Sequence, residues 1–394
     1  MAYVTGKRAE DTLELTLSGR IDSNNAPDVE KEIDELRQSL GGERVVIDAE
    51  ALEYISSAGL RVLLRLRKQC PELKIVNVSA EVYDIFDMTG FAEMINVQKA
   101  YRRVSVEGCE VIGQGANGKV YRIDTDTIIK VYLNPDSLPE IQRERELART
   151  AFVLGVPTAI PYDVVRVESG GYGSVFELLN AKTFAQLLAA DPSKFDVIVS
   201  ESVKLLKIIH GTEVKPGSMP DMKEVALDWA DFLKDYLPAD KYEKLHALVA
   251  AVPEDHHMMH GDYHIKNVMQ QNGESLLIDM DTLCMGHPVF ELASMYNAYV
   301  GYGETDHDNV LKFLGLPYET TNRLWKESLK LYLDGADEAV CRAVEDKARI
   351  IGYTRNMRRT IRRNGLNTED GRKVIENCRT QLEDLLPRVD SLTF

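Results

Sequence analysis

The chain has 394 residues, enough for two or three domains with ample core, and carries 47 basic against 63 acidic side chains, a net charge of −16. The first hundred residues hold 12 Lys and Arg against 18 Asp and Glu, so both halves are acidic, which weighs against general nucleic-acid binding. There is no N-terminal signal, no apolar run of about 18 residues, and no zinc or disulfide spacing among Cys70, Cys109, Cys284, Cys341 and Cys378; this argues against secretion and membrane spanning and for reduced thiols in a cytoplasm.

Residues 14–22 alternate apolar and polar side chains and predict a strand. A helix is predicted over 25–40, with Ala26, Val29, Ile33, Leu36 and Leu40 along one side. Residues 44–48 read as a buried strand, and 54–60 lead into a second helix. There Leu60, Leu63 and Leu64 face inward, while Arg61, Arg65 and Lys68 share the other side. A strand over 73–78 and a helix over 82–91, closed near Gly90, complete the segment. Strands alternating with helices predict a small α/β domain over residues 1–100, with a boundary between 97 and 104.

This segment resembles the STAS family of anti-sigma-factor antagonists over residues 3–98, through Leu17-Ser18-Gly19-Arg20-Ile21-Asp22, residues 55–60 and Asp87-Met88-Thr89-Gly90-Phe91. The resemblance implies a mixed sheet with helices, and regulation or docking of a protein partner. It also implies a phosphorylation site at the position of Ser57. A phosphate at a helix N-terminus meets free N–H groups and the positive dipole end, and adds charge to a docking surface. The alternative is that Ser57 caps the helix. Ser56 stands where switchable members usually carry Asp.

Beyond residue 100, Gly113, Gly115 and Gly118 fall between two β-prone runs, with Asn117 among them. Glycines there let backbone N–H groups approach phosphate oxygens. Residues 127–132 form a β-branched strand holding one lysine, Lys130, which needs a partner or a phosphate. A helix over 138–154 offers Glu144 and Glu146 as that partner. Residues 174–179 run as an apolar strand into a turn, where backbone groups at Glu177 to Leu179 could pair an adenine edge.

The run His260-Gly261-Asp262-Tyr263-His264-Ile265-Lys266-Asn267, followed by Leu276-Leu277-Ile278-Asp279, carries the chemistry. The five-residue step from Asp262 to Asn267 is that of a kinase catalytic loop. Asp262 would orient the acceptor hydroxyl or take its proton, and Asn267 and Asp279 would hold magnesium through hard oxygens. Asn272-Gly273 predicts a hairpin that brings these residues to one edge. Asp281 is a candidate second ligand or a structural acceptor. His256, His257 and His264 read as strand-edge and loop residues rather than a metal set. Arg355, Arg358, Arg359, Arg362 and Arg363 recur at helical spacing, either as an anion-binding face or as a solvated face paired with the acidic body.

In this order the motifs resemble the aminoglycoside phosphotransferase and choline kinase superfamily over residues 101–394, with Ile209-His210 also matching. The resemblance implies an α+β, bilobal protein-kinase-like fold, with an N-lobe at 101–180 and a C-lobe at 181–394. It implies ATP and Mg2+ in the cleft, Lys130 on the phosphates, Glu144 rather than Glu146 as its partner, and Asp262 as catalytic carboxylate. One departure is Glu291, where that family usually has Asp, at the position that braces the catalytic-loop backbone. The acceptor pocket, built from 181–255 and 290–394, shows no specific motif; Trp229, Trp325 and Tyr353 are lining candidates or core.

Three functions follow. The first is an ATP- and Mg2+-dependent phosphotransferase acting on a hydroxyl or amine of a small molecule, with a STAS domain for regulation. The second is a signalling kinase that phosphorylates a STAS serine, its own Ser57 or a partner's. The third, a nucleotide-binding scaffold, sits poorly with intact Lys130, Asp262, Asn267 and Asp279.

Overall fold

A computed structural model describes residues 3–42, 44–114, 118–134 and 137–394. The chain divides into two compact units, Met1–Val104 and Ser105–Phe394. Among the described residues no helix is long and apolar enough to cross a membrane.

In the first unit five strands lie side by side in chain order: Val4–Ala9, Thr12–Ile21, Arg44–Ile55, Lys74–Val78 and Asn96–Lys99. The first pair is antiparallel and the others parallel, giving the mixed sheet expected. Alternation works as predicted, since Leu13, Leu15 and Leu17 are all buried. The strand Val4–Ala9 was not predicted. Only Val4 in it is buried, and Gly6, Lys7 and Arg8 mask its pattern on the sheet edge. Helices Ala26–Leu40, Ser57–Gln69 and Ala80–Met88 cross between the parallel strands. Gly90 takes the left-handed conformation just past the third, where the sequence placed its end.

The second unit opens with antiparallel strands in the order Pro161–Val167, Tyr172–Glu177, Thr127–Tyr132, Gly118–Arg122 and Glu110–Gln114. Gly118 is required there by contact: a Cβ would sit 2.3 Å from the carbonyl oxygen of Val131. Helix Leu138–Val153 belongs to this lobe. The rest is mainly helical around Val289–Tyr299, every residue of which is buried.

The predicted hairpin forms between Val268–Gln271 and Glu274–Leu277, with Asn272 and Gly273 both at positive φ. Met258–Met259 pairs with Cys284–Met285 and closes the base of the loop between them. Thr158 and Ala159 both donate to the carbonyl of Leu277, which ties the sheet lobe to the hairpin. Trp325 and Tyr353 are core side chains, and Trp229 is buried beneath Arg355.

Candidate active site

Strand Thr127–Tyr132 carries Lys130 to the inner face of its lobe. Lys130 Nζ lies 2.9 Å from Glu144 Oε1 and 3.0 Å from Asp279 Oδ1. Burial opposes the charge on Lys130, but Asp279 and Glu144 outweigh it and raise the ammonium well above the usual lysine range. Glu144 is buried, and its other oxygen accepts from the Tyr132 hydroxyl. Glu146 instead lies on the exposed face beside Arg149.

The loop over residues 260–267 is built around Glu291. Its Oε2 accepts from the amides of His260 (2.5 Å) and Gly261 (3.1 Å), and its Oε1 from Tyr263 (3.2 Å). The extra methylene relative to Asp therefore costs no bracing, because the longer arm reaches three amides. His210 Nε2 lies 3.9 Å from the same carboxylate, an ion-pair distance. Burial pushes the Glu291 carboxyl up, but His210 and the backbone donors outweigh it and hold it below the ordinary range.

His260 spans the loop. Its Nδ1 accepts from the Asp262 amide (3.3 Å), so Nε2 carries the proton it gives to Ile278 O (3.0 Å). Gly261 has φ +80°, and a Cβ there would stand 2.3 Å from Thr282 O. The positive φ and this backbone contact together reserve the position for glycine.

Asn267 donates its Nδ2 to Asp262 O (3.1 Å), which leaves Oδ1 unspent. Asp279 holds a left-handed backbone, φ 62° and ψ 64°, an uncommon state for a non-glycine residue and one that recurs at functional sites. A cleft of about 560 Å³ is lined by Gly113, Gly118, Lys130, Glu144, Asn267 and Asp279, with Glu177 and Leu179 at its connector end. Gly115 and Asn117, also expected here, lie outside the described residues. The connector amides are not all free: Glu177 N bonds Ile160 O (3.0 Å) and Leu178 N bonds Asp126 O (2.7 Å). A wider surface depression of about 690 Å³ around Leu366, Arg372 and Glu376 contains none of these groups.

Residues 108–323, more than half of the chain, match the phosphotransferase enzyme family. The chain belongs to that family. Residues 3–104 match the STAS domain. There the chain is 35% identical over 98 residues to a putative anti-sigma factor antagonist, BtrV, of Bordetella bronchiseptica, covering 24% of this chain and 84% of that protein. It is 30% identical over 96 residues to the anti-sigma-B factor antagonist of Listeria monocytogenes, covering 23% and 83%. Among solved structures, a thermostable aminoglycoside phosphotransferase APH(4)-Ia mutant in complex with AMP-PNP and hygromycin B is 11% identical, with a TM-score of 0.49, covering 72% of this chain and 94% of that one. A choline/ethanolamine kinase family protein from Mesorhizobium loti is 18% identical, with a TM-score of 0.44, covering 71% and 87%. The chain thus joins a STAS domain to a unit of the phosphotransferase enzyme family.

In the phosphotransferase unit the Asp262 carboxylate is flanked by a histidine and an arginine. His264 Nε2 lies 3.6 Å from Oδ2 and Arg355 Nη2 3.8 Å from Oδ1. Burial raises this carboxyl, yet His264 and Arg355 prevail and hold it well below the usual range, so it is ionised at neutral pH. Asp281 goes the other way: burial and the charge of Asp279 push it up to about 7.

The arginine cluster is neither one anion-binding face nor one solvated face. Arg355 reaches the catalytic loop, Arg358 pairs with Asp228 (2.8 Å), Arg359 meets the Tyr302 hydroxyl (2.8 Å), and Arg362 and Arg363 are exposed. Arg355 and Ser294 were missed as loop contacts. A signal existed: Val344, Ala348, Ile351 and Arg355 follow one helix stripe, and a cation on an apolar stripe needs a partner. In the STAS domain, Ser56 rather than Ser57 caps the helix, accepting from Gly59 N at 3.5 Å; Ser57 is the first helical residue and is exposed.

Proposed function

We propose that the phosphotransferase unit transfers the γ-phosphoryl group of ATP, with magnesium, to a hydroxyl or amine of a small molecule, and that the STAS domain docks a protein partner that regulates it. The observation that carries this reading is the common cleft. Lys130 and Glu144 from the sheet lobe, and Asn267 and Asp279 from the catalytic hairpin, line one cavity, and Asp262 stands on the same loop as Asn267.

The donor set fits the groups it would hold. Asn267 Oδ1 and the Asp279 carboxylate are hard oxygens, and magnesium favours one or two such ligands together with phosphate and water. The nucleotide supplies the phosphoryl group, and magnesium the charge that offsets its oxygens. Lys130, steadied by Glu144, would hold the phosphates. Gly113 and Gly118, together with Gly115 and Asn117, would close over them. Glu177 and Leu179 would pair the purine through backbone groups, with Val120 and Ile278 as apolar walls. Asp262, ionised between His264 and Arg355, would orient the acceptor hydroxyl or take its proton. The free thiols fit a reducing, cytoplasmic setting.

The test is an ADP-release screen across alcohols, amines and aminoglycosides, repeated with Asp262→Ala and Lys130→Met. Asp262→Ala should abolish turnover with nucleotide still bound, and Lys130→Met should weaken nucleotide binding. Undiminished ADP release by Asp262→Ala with a validated acceptor would remove the mechanism.

One observation favours a second reading, a switch in which a STAS serine is the acceptor. Ser57 is exposed at a helix N-terminus, and Ser56 does the capping, so the Ser57 hydroxyl is available. Intact mass after incubation with ATP would show one added phosphate, lost in Ser57→Ala.

A further inference from the structure

The loop apex is gripped from two sides. Beneath it, Glu291 takes the amides of His260, Gly261 and Tyr263. The carbonyl side is held by other elements. Arg355, on helix Glu338–Arg362, donates from Nη1 to Gly261 O (3.0 Å) and to Ser294 Oγ (2.8 Å). Ser294, on helix Val289–Tyr299, lies 3.3 Å from Gly261 O and 3.4 Å from Asp262 Oδ1. Arg355 Nη2 stands 3.8 Å from that same carboxylate oxygen, and the guanidinium sits 5.5 Å over the Trp229 ring.

We propose that Arg355, with Ser294, is a positioning residue for phosphoryl transfer: a clamp on the Gly261 carbonyl that sets the Asp262 carboxylate where the acceptor hydroxyl must meet it. This rests on the phosphotransfer reading above. The geometry needs an arginine. One planar fork reaches a carbonyl, a hydroxyl and the flank of a carboxylate at once, whereas a lysine presents a single point charge. The Trp229 ring beneath the guanidinium and the bonds to Gly261 O and Ser294 Oγ hold the fork in place before an acceptor arrives. The neighbouring Arg358 and Arg359 do not share the task, because they bond Asp228 and Tyr302 instead.

The experiment uses the full chain, wild type against Arg355→Ala, Arg355→Lys and Ser294→Ala, with Arg358→Ala as control. Turnover is read as ADP release with ATP and magnesium, and affinity with a fluorescent ATP analogue. Arg355→Ala should lower kcat about 100-fold and leave analogue affinity within about twofold, because a misplaced catalytic group costs turnover rather than nucleotide binding. Millimolar guanidinium should restore about tenfold of that loss in Arg355→Ala and none in Asp262→Ala. Arg355→Lys should stay impaired, Ser294→Ala should fall by less, and Arg358→Ala should match wild type. A kcat for Arg355→Ala within about threefold of wild type, or a loss shared equally by affinity and not rescued by guanidinium, would overturn the clamp. Hydrogen exchange over residues 258–267 needs no turnover: Arg355→Ala should accelerate it about tenfold, and unchanged exchange refutes the proposal. Absence of ADP release by the wild type would count against phosphotransfer alone, leaving the exchange result to decide the clamp.

Discussion

Glu291→Gln is the sharpest probe of the loop over residues 260–267. The carboxylate is fully buried and accepts three amides, two through Oε2 and one through Oε1. Glutamine is nearly isosteric, so packing survives. With its oxygen at the Oε2 position it keeps the His260 and Gly261 bonds but turns an NH2 toward the Tyr263 amide. Two bonds then lose their charge assistance, about 1 kcal/mol each. One buried N–H is left facing a donor, which costs about 1–3 kcal/mol. The sum is about 3–5 kcal/mol, or a fall of about 6–10 °C in the melting temperature of a unit this size.

The pH dependence carries a sign. The native Glu291 carboxyl is held below its ordinary value, so the bracing is fully present above pH about 4.3 and is lost as pH falls through the lower native value. The gap between wild type and Glu291→Gln should therefore be largest at neutral pH and close in acid. Thermal and urea melts between pH 3 and pH 8, set by about that range of carboxylate titration, measure it. A variant within about 1 kcal/mol of wild type at neutral pH, or a gap that widens in acid, would refute the reasoning.

Gly261→Ala must adopt a left-handed backbone at about 1–2 kcal/mol and also drive a Cβ against Thr282 O, so melting should fall by at least the equivalent of about 2 kcal/mol and ADP release by about 100-fold; a variant with wild-type turnover would show that the loop tolerates the shift. Ser56→Ala should cost about 1 kcal/mol of STAS-domain stability in urea, and Ser57→Ala less than about 0.5 kcal/mol; the reverse order would return the cap to Ser57. With Asp281 pushed up to about 7, the folded state keeps a proton that the unfolded chain releases near pH 3.9, so this carboxyl's contribution to stability declines as pH rises between about 4 and about 7. Asp281→Asn should flatten that decline in urea midpoints, and parallel curves would show that burial and Asp279 do not burden this carboxyl.

Much of the site was legible because its parts are local. The Asp262-to-Asn267 step lies in one loop, Asn272-Gly273 dictates its own turn, and Lys130 is a cation on an apolar strand that had to find an acid. Choosing Glu144 over Glu146 needed the resemblance, since the two alternate along one helix and only the fold says which side faces Lys130. The STAS helices followed from apolar periodicity. Edge strand Val4–Ala9 did not, because a strand with one buried side chain leaves almost no periodic trace. Ser56 and Ser57 are adjacent hydroxyls, and a one-residue difference in helix start decides which of them caps.

Residues whose meaning depends on distance along the chain were the ones the sequence hid. Glu291 looked like a departure because length was judged against Asp in isolation; the fold sets the helix so that the longer side chain spans three amides. Arg355 looked like one of five similar arginines, yet helix rotation sends it to the loop and its neighbours to Asp228 and Tyr302. The arginine reading failed for a physical reason of its own. Charge periodicity describes a helix as if solvent surrounded it, and Glu338–Arg362 packs against the wholly buried helix Val289–Tyr299. On such a helix a charged residue in phase with the apolar stripe has little water to turn to, as the half-buried Arg355 shows. Its partner must then be a polar group of the loop that the stripe covers, which makes phase with the buried face, rather than charge count, the feature that separates Arg355 from Arg362.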